Sequence, residues 1–145
     1  MQMLIGEFHH NLDNKGRIAV PAKFKSKFLE GAVITRGLES CLFMFPKEEW
    51  EKVVSKLMQL PLSQQDSRAF TRLMLAGAYE VLLDNQGRLL IPEYLRKYAQ
   101  LKRRVVIVGL YTRVEIWDED LWKEYVKEKE NNAQEIAERL SDLGL

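Results

Sequence analysis

A chain of 145 residues and 17.0 kDa has room for one ordinary domain or two very small ones. Apolar residues make up 46% and aromatics 10%, enough for a packed core, so wholesale disorder is excluded. The apolar runs at 73–76 and 105–110 stop far short of the roughly 20 residues that a membrane span needs. The single cysteine, Cys41, rules out an internal disulfide and cysteine-cluster zinc. The opening Met-Gln-Met-Leu-Ile-Gly-Glu lacks the basic start and apolar stretch of a signal peptide, so a cytoplasmic protein is expected. The net charge of +1 hides an asymmetry. Residues 1–117 hold 18 Lys and Arg against 12 Asp and Glu, and residues 118–145 hold 4 against 9. A basic body therefore carries an acidic tail, and charge acts over a Debye length of about 10 Å rather than over the whole chain.

Taken in chain order, the pattern predicts a short strand at 7–12, a turn at Asp13-Asn14-Lys15-Gly16, and a returning strand over 17–20. Asp13 at the head of the turn can accept backbone N–H groups ahead of it. Gly16 at its foot tolerates the positive φ of a type I turn closed by a glycine bulge. Pro21 ends the ladder and opens a short helix over 22–29. A second strand pair, 32–36 and 41–45, turns at Arg36-Gly37. Pro46 then starts a helix over 47–59 with Trp50, Val53, Val54, Leu57 and Met58 on one face. A turn at 61–66 leads into a helix ending near Ala76. The series then recurs: strands near 78–83 and 88–91, a helix after Pro92, strands at 104–109 and 113–117, and a helix from Asp118. Beyond the polar run 128–132, Ile136, Ala137 and Leu140 resume an apolar face, which predicts a frayed or separately docked terminal helix. The expected organisation is repeat 1 at 1–60, a linker helix at 61–76, repeat 2 at 77–126 and an acidic helical tail at 127–145.

The recurrence is one of residues, not only of elements. Leu12-Asp13-Asn14-Lys15-Gly16-Arg17-Ile18-Ala19-Val20-Pro21 matches Leu83-Asp84-Asn85-Gln86-Gly87-Arg88-Leu89-Leu90-Ile91-Pro92 at an offset of 71. Gly6 and Gly77 extend the match. After one inserted residue, Val33, Gly37, Leu38 and Trp50 match Val105, Gly109, Leu110 and Trp122 at an offset of 72. Each module is too small to bury a core comfortably alone, so the two are expected to interlock.

The functional pointer is the doubled Asp-Asn-x-Gly-Arg. Turn geometry alone accounts for Asp13, Gly16, Asp84 and Gly87. It does not require Arg17 or Arg88. A local Asp–Arg ion pair, worth at most about 1 kcal/mol at a surface, is one reading, and it can coexist with a binding role. Around the first turn lie Lys15, Lys23, Lys25, Lys27 and Arg36. The second module adds Arg96, Lys97, Lys102, Arg103, Arg104 and Arg113. Such density suits DNA phosphate contacts, and an arginine on a rigid hairpin can pair bidentately with guanine O6 and N7. Two base contacts per chain are too few against a genome of competitors, so several chains would have to act together.

Other chemistry has little support. His9 and His10 sit next to each other on a predicted strand, where neighbours face opposite sides, and Glu80-Val81 replaces them in the second copy. No metal site or cofactor is therefore expected. Cys41 reads as a small core residue. Trp50, Trp117 and Trp122 occupy core-like positions. There is no phosphate-binding glycine loop, Gly-x-Ser-x-Gly or His-Glu-x-x-His, so neither an enzyme nor a small-molecule substrate is expected.

The paired Asp-x-x-x-Arg motifs, Asp13 to Arg17 and Asp84 to Arg88, together with the stretch from Leu4-Ile5-Gly6-Glu7 onward, resemble the MraZ family over essentially the whole chain. The resemblance implies an α+β, mainly β, tandem AbrB-like (SpoVT-type) fold: a swapped-hairpin, double-split β-barrel built from two internal repeats with flanking helices. It also implies a homo-oligomeric ring that binds short G-rich direct repeats in double-stranded DNA, upstream of the division and cell-wall gene cluster and its own gene. The ring would act mainly as a repressor and associate with the nucleoid. By position, Arg17 and Arg88 would contact DNA with Lys15 as a helper, while the matching Gln86 is uncharged. An AbrB-like antitoxin or protein-interaction module is the alternative.

Overall fold

The computed structural model describes residues 3–144. In chain order the elements are β1 (Leu4–Asn11), β2 (Arg17–Ala19), a 3-10 helix (Ala22–Phe28), β3 (Ala32–Arg36), β4 (Leu42–Pro46), α1 (Lys47–Met58), α2 (Gln65–Ala76), β5 (Tyr79–Val81), β6 (Arg88–Leu90), α3 (Glu93–Tyr98), β7 (Arg104–Tyr111), β8 (Val114–Asp118), α4 (Glu119–Asn131), α5 (Ala133–Arg139) and a last 3-10 turn (Ser141–Leu143). The fold is α+β, and the repeat is structural as well as sequential. Shifted by 72, β4 coincides with β8 and the start of α1 with the start of α4.

The strands form an antiparallel six-stranded sheet in the order β1-β7-β8-β4-β3-β5, and a separate two-stranded ladder of β2 and β6. Each repeat lends its first strand to the other: β1 pairs with β7, and β5 pairs with β3. The first of these pairings is long, from Leu4↔Tyr111 to Asn11↔Arg104. The second is short, because α2 consumes the residues that would otherwise lengthen β5. In the ladder Arg17 faces Leu90, Ile18 faces Leu89 and Ala19 faces Arg88. This register is unchanged when the repeats are exchanged, so a pseudo-twofold passes through Ile18 and Leu89. The interlocking expected from module size is thus achieved by strand exchange.

One core serves both repeats. Ile18 and Leu89 from the ladder, Phe24, Phe28 and Leu95 from the short helices, and Ile34, Met44, Ile107 and Ile116 from the sheet are buried in a single cluster. A second cluster on the other face of the sheet joins Phe43, Phe45, Val106 and Trp117 to residues of α1, α2 and α4. Strand alternation divides the two clusters, since Ile107 and Ile116 point one way while Val106 and Trp117 point the other. Trp117, Trp122 and Tyr125 pack as an aromatic group with centroids 5.0–6.0 Å apart. That arrangement agrees with packing rather than base stacking. Cys41 is fully buried, and burial pushes its thiol up to about 12, which suits an inert core residue.

Two sequence expectations need correction. Met58 is exposed rather than facing the sheet beside Leu57, because α1 ends there and the chain turns away toward Leu60 and Pro61. The terminal helix forms as α5, but none of its residues is buried. Ile136 is only partly covered and Leu143 is exposed. An amphipathic spacing makes a helix able to pack, but it does not supply a surface within the same chain. Among the described residues no helix is long and apolar enough to cross a membrane.

Candidate nucleic-acid interface

The two hairpin turns are built alike, bond for bond. Asp13 Oδ1 accepts the backbone N–H groups of Lys15 and Arg17, each at 2.9 Å. Asp84 Oδ1 accepts those of Gln86 at 2.8 Å and Arg88 at 2.9 Å. The Gly16 and Gly87 N–H groups donate to the carbonyls of Asp13 and Asp84 at 3.1 and 3.0 Å. Both glycines have positive φ, 81° and 74°, as a turn closed by a glycine bulge demands. Each carboxylate is thereby kept ionised. Asp13 is held down at about 2, first by the Arg17 N–H and then by the Arg17 side chain and the Lys15 N–H. Asp84 is lowered in the same way, first by the Arg88 N–H.

The arginine side chains continue the pattern. Arg17 Nε donates to Asp13 Oδ2 at 2.8 Å, and Arg88 Nε donates to Asp84 Oδ2 at 3.0 Å. The local ion pair read from the sequence is therefore present in both copies. Because it engages Nε, it orients each guanidinium from its own aspartate, and no hydrogen bond among the described residues engages the outer nitrogens. Arg88 Nη1 also lies 3.7 Å from Asp13 Oδ2, a link between the two motifs without a counterpart from Arg17 to Asp84 among the described residues.

Sheet geometry decides where these groups point. Residues opposite one another in an antiparallel ladder share a face, and neighbours along a strand alternate. Since Ile18 and Leu89 face the core, Arg17 and Arg88 both leave from the outer face, diagonally across the pseudo-twofold. Their side chains are 31% and 27% exposed. Two further bonds tie each hairpin to the other repeat: Val20 N–H donates to the Gly87 carbonyl at 3.0 Å, and Ile91 N–H donates to the Gly16 carbonyl at 2.8 Å. The platform beneath the arginines is thus shared and rigid.

Lys15 is exposed at the tip of the first turn. Of the other cations singled out in the sequence, several are taken up by carboxylates: Lys97 by Glu93, Lys102 by Asp120, Arg104 by Glu119 and Arg113 by Glu115. Arg36 instead donates to the Leu73 carbonyl at 3.0 Å. Lys25 and Arg96 lie against the turns themselves, a placement that chain order alone does not reveal; the repeat offset, which carries 25 to 96, is the signal that points to it. His9 bridges Glu7 and Glu119, each at 3.0 Å. Among the described residues no three His, Cys, Asp or Glu side chains gather into a group able to hold a metal ion.

The comparisons with known proteins bear on the whole chain. The family model described as MraZ protein, whose description carries the words antitoxin-like, matches twice, at residues 3–73 and 74–143. A protein named Transcriptional regulator MraZ from Thermoanaerobacter sp. (strain X514) is 47% identical over 143 residues, covering 99% of this chain and 100% of that protein. Proteins of the same name from Carboxydothermus hydrogenoformans (47% over 141 residues, 97% of this chain and 99% of the relative) and Pediococcus pentosaceus (47% over 143 residues, 99% and 100%) are similarly close. With both repeats matched and relatives aligned end to end, the chain belongs to the MraZ family.

Proposed function

We propose that this protein is a sequence-specific DNA-binding transcriptional regulator, in the main a repressor, that acts on the division and cell-wall gene cluster including its own gene. The observation that carries the reading is the common outward face of Arg17 and Arg88 on one rigid ladder. Each guanidinium is oriented by its own aspartate, and its outer nitrogens make no hydrogen bond among the described residues, with Arg88 Nη1 held 3.7 Å from Asp13. That is the disposition a bidentate contact to guanine requires, and each such contact is worth about 1–3 kcal/mol of discrimination. Lys15 adds a phosphate contact next to Arg17, and Gln86 offers none next to Arg88, so the two hairpins would engage the duplex unequally. The names of the relatives support the same class of function.

Two arginines per chain do not reach the selectivity of a genomic regulator. We infer a homo-oligomeric ring that sets several hairpin pairs on several short direct repeats and gains by effective concentration. Exposed apolar side chains at Leu60, Leu62, Leu73 and Leu143 supply surface for contacts between copies. In this reading the protein associates with the nucleoid.

Footprinting on the DNA upstream of the protein's own gene, with wild type and Arg17→Ala side by side, tests the proposal. Regular protection over evenly spaced short repeats, lost in the variant, is the expected result. Absence of protection by the wild type overturns it. The alternative, an antitoxin-like or protein-interaction module, draws on one observation: the amphipathic α5 has no surface to cover it within the chain. Recovery of a stoichiometric small protein in a pull-down, with no DNA protection, would establish that reading instead.

A further inference from the structure

Each hairpin turn is covered by a cation from the other repeat. A Cβ placed on Gly87 would lie 2.6 Å from Lys25 Cε and 2.7 Å from its Nζ. On Gly16 it would lie 2.8 Å from Arg96 Cζ and 2.9 Å from its Nε. The two contacts are one contact seen twice, since the offset of 71 carries Lys25 to Arg96 and Gly16 to Gly87. Lys25 stands on the 3-10 helix that follows β2, and Arg96 on α3, which follows β6. Crossing of the hairpins at the pseudo-twofold brings each short helix against the opposite turn. Arg96 is fixed there by donating Nε to the Ile91 carbonyl at 2.9 Å.

Neither cation has a carboxylate partner among the described residues, whereas Lys97, one position on, is neutralised by Glu93. Both are half-buried. Lys25 loses hydration with no local partner, and Arg96 recovers only the one bond to the Ile91 carbonyl, which leaves its charge unneutralised, so packing over a glycine does not by itself account for a cation at both positions. At position 25 a methionine would cover the same backbone without that cost.

We infer that Lys25 and Arg96 are reciprocal phosphate contacts, so that each DNA-reading end is composite: Arg88 with Lys25 at one, Arg17 with Arg96 at the other. The base-facing arginine comes from one repeat and its phosphate-facing neighbour from the other. Neither repeat alone carries a complete end, which gives the strand exchange a function beyond burial of the core. The inference rests on the DNA-binding reading above and adds to it a pairing that composition and charge density do not contain.

The test uses the full chain and two probes, a mixed-sequence duplex and the duplex upstream of the protein's own gene, each titrated across a range of salt. Lys25→Met and Arg96→Met keep the stem and remove the charge, while Lys25→Arg and Arg96→Lys restore it. Each Met variant should lower the slope of log K against log salt by about 0.9 for each phosphate left without its cation, on both probes alike. A fourfold rise in salt would then cost it roughly threefold less affinity than it costs the wild type. The charge-restoring variants should keep the wild-type slope. In double-mutant cycles on the second duplex, Lys25→Met should couple to Arg88→Ala and be additive with Arg17→Ala; Arg96→Met should show the reverse. Melting curves check folding, and Lys25→Gln and Arg96→Gln take the place of any Met variant that unfolds. Wild-type slopes in the charge-removing variants, with Arg17→Ala still impaired, overturn the composite end and leave the DNA reading standing. Failure of the wild type to bind either duplex overturns both.

Discussion

Ile18 and Leu89 stand directly opposite each other at the centre of the two-stranded ladder, both fully enclosed by the common core. Their side chains are the inner faces of the strands whose outer faces carry Arg17 and Arg88. Truncation here therefore acts on stability and on the interface together. Ile18→Ala removes buried methylenes at a site walled by both repeats and should cost about 2–5 kcal/mol. Since the core is shared, denaturation should remain a single transition shifted to lower denaturant, with the slope unchanged. Two separate transitions would contradict the interlocked fold.

Arg17→Ala and Lys127→Ala remove one positive charge each, from the hairpin platform and from α4 respectively. At one fixed salt concentration, the first should weaken binding to the upstream duplex by about fivefold or more, the effect of removing a bidentate pairing with a base. The second should stay within about twofold, as expected of a charge outside the interface. Arg17→Lys should resemble Arg17→Ala, because an ammonium cannot reproduce the planar fork that Asp13 aims. Filter binding or fluorescence anisotropy on correctly folded protein reads all three.

Gly16 combines two constraints that alanine violates together. Its φ of 81° is strained for any side chain, and the added methyl meets the Arg96 guanidinium. Gly16→Ala should cost about 1–3 kcal/mol in chemical denaturation. It should also displace Arg96, so DNA affinity would fall by more than stability alone accounts for.

Much of this architecture is legible in the chain. The turns can be read because Asp and Gly at fixed spacing have one economical backbone solution, and both turns adopt it. The helix starts can be read because Pro21, Pro46 and Pro92 end ladders and suit first turns. Pairing partners cannot. Period-two alternation tells which way Ile107 faces, but it is silent on whether β7 pairs with β1 or with another strand. For the same reason the approach of Arg88 to Asp13, and of Lys25 and Arg96 to the turns, stays hidden: each joins groups far apart in sequence. The bare face of α5 could not be foreseen, because spacing reports a capacity to pack and not the presence of a partner.

Acid should loosen the hairpins in a defined window. The Asp13 carboxyl sits at about 2 in the folded chain, below its ordinary 3.8, chiefly through the Arg17 N–H. Asp84 is lowered by the equivalent bond. A group depressed by folding contributes stability that is complete above its unfolded value and is lost as pH falls through the folded one. Wild type should therefore lose melting temperature between pH 3.8 and about 2. Asp13→Asn should be less stable near neutrality and lose less over that interval. Identical acid limbs for the two proteins would mean that the carboxylate does not hold the turn.

A second titration has the opposite sign. His9 on β1 lies between Glu7 on its own strand and Glu119 at the start of α4, with Arg104 and Lys123 also on Glu119 and His10 alongside. Hydrogen bonding to Glu119 raises His9 above its ordinary 6.5, against a smaller opposing effect of burial, and Glu119 is lowered first by His9. A group raised by folding contributes stability that is complete below its unfolded value and is lost as pH climbs through the folded one. The β1–α4 contact should therefore weaken as pH rises above 6.5, a window distinct from that of Asp13. Melting temperatures across mildly acid to mildly alkaline buffers should decline in wild type and be flatter in His9→Gln. The two curves should lie furthest apart on the acid side, where the imidazolium is present to bind both carboxylates.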